Sequence, residues 1–421
     1  MDRRLLFTYT KHLSTYFSAS IIPMLLSLVT NPLIALNMEP RDYAIVGYYT
    51  SFNNLVGPII MFYMVQYYIR NYFNFDQEQR YHLKALVFKS LITFSAFLTL
   101  ICYIGISLYI HIFNSDIEYP VFPYLLLAIV VTPLTGVYTL QTADYRMERN
   151  TKAFFRVSVS FGVTSVLLTL LFVVLIKWGA FGKLLAPLLA NLVFFVWIVY
   201  KNKDLLKVRI NKTDFFELIK FCWPLALGAT LGYFLGGFDK TYLESLKDTT
   251  TYGIYNVGAQ MAAYIGIFAS SISTTFQPDV YEAIMKDWKK RLVRVYALQL
   301  LMILGVVLVY VAICPFVIKI LTAGRYVEAT PFTRIICFST LASAIYYNIN
   351  GYTIGKGFPK VYTITSVIGS VLVMIAMPIM VKRFGFYGAA YMTSVSFIIM
   401  AIVNIIVLWV VRKFNLMKPI K

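Results

Sequence analysis

The sequence predicts an all-α, polytopic membrane protein with twelve transmembrane helices in two parallel-repeat six-helix bundles. Three observations lead to this fold class. Hydrophobic residues make up 59% and charged residues 14% of the 421 residues, which leaves too little polar surface for a water-soluble particle of this size. The apolar residues fall in runs long enough to cross about 30 Å of hydrocarbon. Similar segments also recur at a constant spacing of 209 positions.

Charged residues separate the apolar runs and so define the predicted spans. In chain order, the twelve spans lie near residues 14–36, 43–69, 84–113, 121–141, 155–177, 183–200, 215–237, 252–276, 292–318, 330–350, 361–381 and 386–411. Some of these runs exceed the usual length, which a tilted helix accommodates.

The basic residues are distributed unequally between the two sides of the membrane. With the N-terminus placed in the cytoplasm, 28 of the 38 lysines and arginines lie on the cytoplasmic side of the membrane and ten lie on the opposite side. Because cytoplasmic loops carry the excess of Lys and Arg, both termini are predicted to be cytoplasmic. The net charge of +19 lies in loops between spans, so it predicts contact with membrane lipids and no nucleic-acid partner.

An internal repeat organises the chain. The matching segments are 43–46 (YAIV) with 252–255 (YGIY), 138–141 (YTLQ) with 347–350 (YNIN), and 179–180 with 388–389 (both GA). Because six spans is an even number, the two copies have the same orientation and are related by an axis along the membrane normal. A basic linker separates the copies, so we expect an N-terminal bundle at 1–208 and a C-terminal bundle at 209–421.

No enzyme constellation is present, and the protein is expected not to be an enzyme. The three histidines are far apart in sequence, which disfavours a histidine metal site. The closest approach to a nucleotide-binding loop, GYTIGKG at 351–357, lacks one spacer residue and the final Ser or Thr. We therefore expect no cofactor and no metal, and transport driven by a coupling ion or by mass action.

Amide and tyrosine side chains are the polar groups expected within the spans. Residues four positions apart share a helix face, and a polar face in lipid turns to a wet cavity or a partner helix. Amides and phenols suit hydroxyl-rich, neutral or anionic ligands, although each one alone is equally explained by a hydrogen bond to a neighbouring helix. The candidates are Asn53 and Asn54 in the second span, and Tyr252, Asn256, Gln260 and Tyr264 in the eighth.

Charges at the span ends form a second candidate set. At the repeat offset, Arg70 corresponds to Asp279. Opposite charges at matching ends would form gates, while snorkelling of each side chain is the alternative. This set of gate or diphosphate-binding residues comprises Arg41, Asp42, Arg70, Asp239, Lys240 and Asp279.

Several segments carry a family resemblance. They are Pro23 with the first span, PRDYAIVGYYTSF (40–52), WPLALGATLGYFLGGFDKTYL (223–243), YGIYNVGAQMA (252–262) and TTFQPDVYEA (274–283). Together they resemble the polysaccharide-biosynthesis flippases of the multidrug/oligosaccharidyl-lipid/polysaccharide exporter superfamily. The resemblance implies a central cavity lined by helices one, two, seven and eight.

The resemblance also implies a substrate and a place. The substrate is an oligosaccharide linked through diphosphate to undecaprenol, turned across the bacterial cytoplasmic (inner) membrane by alternating access for O-antigen or capsule assembly. The polysaccharide polymerase machinery is a further implied partner. Because no arginine or lysine lies deep in those four helices, the diphosphate would meet Arg41, Arg70 or Lys240, or helix N-termini.

Two other functions remain open at this stage. A multidrug or organic-cation exporter of the same superfamily usually places a carboxylate at depth, whereas Asp and Glu are missing from the middle of every predicted span. A membrane polysaccharide polymerase needs a sizeable outer loop, but the longest one predicted is the hydrophilic hairpin at 238–251. Both alternatives fit the sequence less well than a flippase.

Overall fold

The computed structural model describes residues 22, 25–72, 75–113, 120–356 and 358–414. Within these ranges the chain forms helices joined by short turns and contains no β-strand. The helices are α1 (Leu25–Leu36), α2 (Pro40–Met61), α3 (Met64–Asn71), α4 (Gln77–Phe113), α5 (Tyr124–Met147), α6 (Thr151–Thr169), α7 (Gly179–Lys201), α8 (Lys212–Leu231), α9 (Tyr233–Gly236), α10 (Phe238–Glu244), α11 (Thr249–Met285), α12 (Lys289–Leu321), α13 (Thr330–Gly355) and α14 (Pro359–Lys413). The predicted all-α class is confirmed.

The described part of each predicted span falls almost entirely on helix, while residues 14–21, 23 and 24 of the first span lie outside the described residues. In the described part of the chain, seven helical stretches are long and apolar enough to cross a membrane by length and composition. One of these stretches is α14, whose 55 residues cover the last two predicted spans. At a rise of about 1.5 Å per residue, α14 is far longer than one bilayer crossing. Its helical geometry breaks at Gly385 (φ 56°, ψ −138°), between those two spans.

The described residues pack as two compact units, Met1–Thr230 and Leu231–Lys421. In the first unit, α5 is the central helix and packs against α2, α4, α6 and α7. Its buried core includes Tyr68, Phe88 and Leu140. Most of α8 belongs to this unit, and the rings of Phe94 and Phe215 pack edge to face between α4 and α8. The division of the repeats at residue 208 stays a prediction.

In the second unit, α13 has the central place and packs against α11, α12 and α14. The repeat-matched amides Gln141 and Asn350 lie on α5 and α13, and each contacts an asparagine from another helix of its own unit, Asn202 at the end of α7 and Asn404 on α14. Asn202 Nδ2 donates to Gln141 Oε1 at 2.8 Å, and Asn404 Nδ2 donates to Asn350 Oδ1 at 3.5 Å. Each repeat-matched amide is thus held by an asparagine within its own unit.

The matching glycines of the repeat are explained by close packing. Gly179 has φ +50°, and a Cβ atom there would lie 2.4 Å from Asp42 Oδ1. A Cβ atom at Gly388 would lie 2.2 Å from the carbonyl oxygen of Met380. Because real atoms do not approach so closely, both positions require glycine.

Two predicted spans are interrupted helices. The second is divided between α2 and α3 by Phe62 and Tyr63, which have φ 48° and 55°. The seventh is divided at Gly232 and Gly237. The expected hydrophilic hairpin at 238–251 is wrong in part, since its first half is the short helix α10, with Asp239 buried. Asp239 and Leu243 are four positions apart, about one helical turn, so both lie on the buried face of this helix.

Candidate functional site

The amides of the second span lie on α2 of the first unit. Asn53 is half-buried, and the hydroxyl of Thr132 on α5 donates to its Oδ1 at 3.3 Å. Asn54, the next residue, is exposed. Asn53 is therefore positioned by a neighbouring helix, as the packing alternative predicted, while its amide group retains further hydrogen-bonding capacity.

The polar stripe of the eighth span lies on the continuous helix α11 of the second unit. Asn256 is 7% exposed, and its Nδ2 donates to the Tyr252 carbonyl at 3.0 Å. Its Oδ1 is buried and accepts no hydrogen bond from any described residue. Gln260 and Tyr264 lie one and two turns further along, and both are half-buried.

The buried oxygen of Asn256 is the strongest sign of a binding group in this stripe. A buried polar atom without a partner costs about 1–3 kcal/mol. Such a group persists where water or a ligand supplies the missing donor. The geometry therefore provides an unfilled acceptor within this stripe.

Asp42 lies at the first turn of α2 and has a structural role. Its Oδ1 accepts a hydrogen bond from the Ala180 backbone N–H at 2.8 Å, and its Oδ2 accepts one from the Glu39 N–H at 2.9 Å. The first bond ties the start of α7 to the start of α2. The second closes a capping box, in which Asp42 and Glu39 satisfy each other's backbone donors.

The arginines of the first unit's candidate set are both exposed. Arg41 lies beside Asp42 at the start of α2. The guanidinium carbon of Arg70 lies 4.6 Å from the centre of the Phe221 ring, a cation–π contact between α3 and α8. Stacking leaves the edge of a guanidinium group, and so its N–H donors, available to an anion.

The charges of the second unit meet on α10. Asp239 is 6% exposed, and Tyr255 on α11 donates to its Oδ2 at 2.6 Å. Lys240 Nζ is 3.7 Å from Asp239 Oδ1, which accepts no hydrogen bond in the described structure. Asp279 lies on α11, but its side chain falls outside the described residues. The pairing of these charges into gates stays a prediction.

A buried ionic group absent from the predicted set lies in the first unit. Asp144 on α5 is 4% exposed and accepts hydrogen bonds from the Tyr68 hydroxyl at 2.5 Å and from Lys84 Nζ at 2.6 Å. Asp144 lies past the predicted end of the fourth span, but α5 continues to Met147 and carries it into the packed interior. Asp144 lies three residues beyond Gln141 on the same helix face, so a fourth predicted span extended by one turn would have included it.

No group of three or more His, Cys, Asp or Glu side chains that could hold a metal ion occurs among the residues with described positions. The four cysteines are free, and three of them are buried. The polar groups described in the two units are thus amides, hydroxyls, single charges and the ion pairs Lys84–Asp144 and Asp239–Lys240.

These features define a class: a multi-pass, all-α membrane protein built from two helical units, with the fold of MOP-superfamily transporters. The chain matches an inward-facing multidrug resistance MATE family transporter of the MOP superfamily with a TM-score of 0.66, at 14% identity over 94% of this chain and 99% of that one. It matches the lipid II flippase MurJ in an inward closed conformation with a TM-score of 0.72, at 14% identity over 92% and 86%. A MOP superfamily transporter from Pyrococcus furiosus gives 0.61, at 16% identity over 96% and 95%.

The sequence profile of the family described as "Polysaccharide biosynthesis protein" matches residues 10–278. The chain therefore belongs to the polysaccharide biosynthesis protein family, and the resemblance read from its sequence is confirmed. An uncharacterized membrane protein of Methanocaldococcus jannaschii is 29% identical over 191 residues, which are 44% of this chain and 36% of that relative. The chain thus spans about a third of the length of that curated relative.

Proposed function

We propose that the protein is a flippase that moves undecaprenyl-diphosphate-linked oligosaccharide repeat units across the bacterial cytoplasmic membrane for surface polysaccharide assembly. The observation that carries this proposal is the unfilled acceptor of Asn256, within a stripe of amides and tyrosines on α11, the helix of the eighth predicted span. Sugar hydroxyls donate to such acceptors and accept from amide N–H groups. Membership in a polysaccharide biosynthesis family supports the choice of substrate class.

The exposed arginines favour an anionic linkage between sugar and lipid. Arg70 and Arg41 are the better candidates for the diphosphate, because guanidinium groups bind phosphate oxygens in pairs. Lys240 lies 3.7 Å from Asp239, whose negative charge competes with any bound phosphate. In this mechanism the sugar binds the amides and tyrosines of α11 while the isoprenoid tail stays in lipid.

The setting and driving force belong to the same proposal. Basic residues are in excess on the side of the membrane that holds the two termini, which supports a cytoplasmic placement of both. Movement by alternating access would draw on a coupling ion or on mass action. Polymerase machinery on the other side of the membrane would consume the delivered units.

A second candidate function, export of an organic cation, has one observation in its favour. Asp239 is a buried carboxylate with one oxygen that accepts no hydrogen bond among the described residues. A carboxylate in this state attracts a cationic ligand. The neighbouring Lys240 ammonium neutralises part of that charge, so the flippase remains the better supported function.

Depletion of the protein in its native host separates the candidates. Loss of a flippase strands lipid-linked repeat units in the cytoplasmic leaflet, where an impermeant saccharide-oxidising reagent cannot reach them. Loss of a polymerase leaves single units in the outer leaflet, accessible to the same reagent. Loss of an exporter raises the retention of cationic dyes and leaves lipid-linked saccharides unchanged, which would refute the flippase.

A further inference from the structure

The first unit contains a cavity of about 540 Å³ between α1, α5, α6 and α7. Two basic side chains, Lys183 and Arg146, belong to its lining, which includes no carboxylate among the described residues. Six serine and threonine side chains also line it: Ser27, Thr30, Thr142, Ser158, Ser165 and Thr169. The size lies within the usual range of small-ligand sites, about 300–1,000 Å³.

The cavity is elongated along the helices. Its lining on α6 runs from Phe154 to Thr169, a distance of about 22 Å at the helical rise of about 1.5 Å per residue. Lys183 lies in the second turn of α7, whereas Arg146 lies in the last turn of α5. One cation therefore lies towards each end of a polar cleft inside a membrane-crossing bundle.

Lys183 has no electrostatic compensation in the described structure. No hydrogen bond or ion pair joins it to a described residue. A charged amine within a transmembrane segment is costly unless it reaches water or a counter-charge. The residues before Ile22 contain a single acid, Asp2, which precedes the first apolar span. The sequence of the first predicted span therefore contains no carboxylate.

The basic lining is specific to the first copy of the repeat. At the offset of 209 positions, Lys183 corresponds to Met392, which is fully buried, and Arg146 corresponds to Gly355. A lysine kept for folding of the repeated unit would be expected in both copies. Its presence in one copy favours a task particular to the first unit.

The hydroxyl groups supply donors that an anion needs. Thr30 and Thr169 donate to carbonyls of their own helices, Leu26 at 2.9 Å and Ser165 at 2.8 Å. A hydroxyl hydrogen rotates freely between such a carbonyl and a ligand. A cavity of this volume holds a small anion together with several waters, each of which occupies about 30 Å³.

We propose that this cavity binds a small inorganic anion, with the Lys183 ammonium as its principal partner and the serine and threonine hydroxyls as further donors. Arg146 attracts the anion from the opposite end of the cleft. The proposal concerns binding within the first unit and does not depend on which substrate the protein moves.

Thermal unfolding of the purified full-length protein tests the site. The protein is kept in sodium gluconate at constant ionic strength and titrated with sodium chloride, sodium bromide or sodium phosphate. We expect a saturable rise in the unfolding midpoint with at least one of these anions, because a ligand that binds only the folded state stabilises it. The anion that acts at the lowest concentration identifies the preferred ligand.

Variants connect the effect to the cavity. Lys183→Gln should raise the half-saturating anion concentration at least tenfold, while Lys183→Arg should keep it near the wild-type value. Lys319→Gln, at an exposed lysine of α12, is the matched control and should leave it unchanged. If Lys183→Gln does not fold, Ser165→Ala decides the question, with an expected several-fold increase.

Three results would overturn the proposal. The first is a wild-type midpoint with no saturable dependence on any of the three anions. The second is an unchanged half-saturating concentration in Lys183→Gln or, where that variant does not fold, in Ser165→Ala. The third is a midpoint that follows the exchange of sodium for potassium while ignoring the anion, which would indicate a cation site instead.

Discussion

Asp42 and Ala180 lie 138 residues apart in sequence, yet the Ala180 backbone N–H donates to Asp42 Oδ1 at 2.8 Å. The bond joins the first turn of α2 to the first turn of α7. The Asp42 carboxylate thereby lies at the N-terminus of α7, where the helix dipole is positive, and this arrangement is electrostatically favourable. The residue before Ala180 is Gly179, and its φ of +50° brings the two helix starts together.

We predict that Gly179→Ala destabilises the protein. The new Cβ atom would lie 2.4 Å from Asp42 Oδ1, and alanine is strained at a positive φ. The expected loss is about 1–3 kcal/mol of unfolding free energy, seen as a lower midpoint in thermal unfolding. Gly105→Ala, in α4 with no atom within 4 Å of the added carbon, should not lower the midpoint. Equal midpoints for the two variants would contradict the packing explanation.

The buried group of Tyr68, Lys84 and Asp144 predicts that substitutions at Lys84 and Asp144 have strongly non-additive effects on stability. Lys84→Gln leaves a buried carboxylate without its counter-charge and should cost about 3–5 kcal/mol. Adding Asp144→Asn should recover part of that loss, because the unpaired charge is then gone. Denaturant unfolding of the two single variants and the double variant measures the coupling.

An exposed ion pair provides the comparison. Lys207→Gln removes a partner of Asp204 in a solvent-exposed pair and should leave stability unchanged within error. A Lys84→Gln variant as stable as the wild type would mean that Asp144 is neutral or solvated in the folded protein.

The pair between Asp287 and Lys356 predicts a pH dependence in the second unit. Lys356 Nζ donates to Asp287 Oδ1 at 2.5 Å, and this hydrogen bond together with the lysine charge lowers the pKa of Asp287 below its ordinary 3.8. A lowered folded-state pKa contributes stability that is present above pH 3.8 and is lost as the pH falls below that value. The difference in unfolding midpoint between wild type and Asp287→Asn should therefore shrink as the pH is lowered from 7 to 3.

Lys356→Gln should show the same shrinking difference, because it removes the other partner of the same bond. A difference that stays constant down to pH 3 would indicate that Asp287 keeps an ordinary pKa. The effect is expected to be small, since the Asp287 side chain is 61% exposed.

Replacing Asn256 should separate stability from transport. Asn256→Leu removes a buried oxygen that has no described partner, so the unfolding midpoint should stay equal or rise. Surface-polysaccharide assembly in a complementation assay should fall severely, because the proposed sugar acceptor is lost. Full assembly at wild-type protein levels would remove Asn256 from the site.

Asn404→Leu is the matched control for that experiment. Asn404 is a fully buried asparagine in the same unit, and its Oδ1 accepts from Thr353 at 2.7 Å while its Nδ2 donates to Asn350 at 3.5 Å. Both of these partners lose a hydrogen bond in the variant, so the unfolding midpoint should fall. Opposite effects of the two Asn→Leu substitutions on the unfolding midpoint would then show that the Asn404 amide has hydrogen-bond partners and that the Asn256 oxygen has none.

The predicted spans agree with the observed helices because hydropathy is a local property of the chain. The matched glycines and the amides Gln141 and Asn350 were also visible in sequence, since duplication preserves spacing. The contact between Lys84 and Asp144 was not, because it joins residues 60 positions apart on different helices. For the same reason, the sequence could not predict the hydrogen bond from the Ala180 N–H to Asp42. Through this bond Asp42, a candidate gate residue, connects the starts of α2 and α7.

The short helix α10 shows a different limit of sequence interpretation. Its charged residues indicated a solvated turn, but Asp239 and Leu243 of this helix are buried, and the Tyr255 hydroxyl of α11 donates to Asp239. Burial of Asp239 depends on a hydroxyl donor sixteen positions away on α11. Composition alone cannot show such a donor.

The break in helical geometry at Gly385 has a practical consequence for mapping the topology. The last two spans follow each other within one nearly continuous helical segment, so the chain offers almost no free length there for an inserted epitope or a protease site. Reporter insertions should be accepted instead near Asn211, in the exposed connection before α8. A tag tolerated at Gly385 without loss of folding would mean that this junction is looser than its geometry indicates.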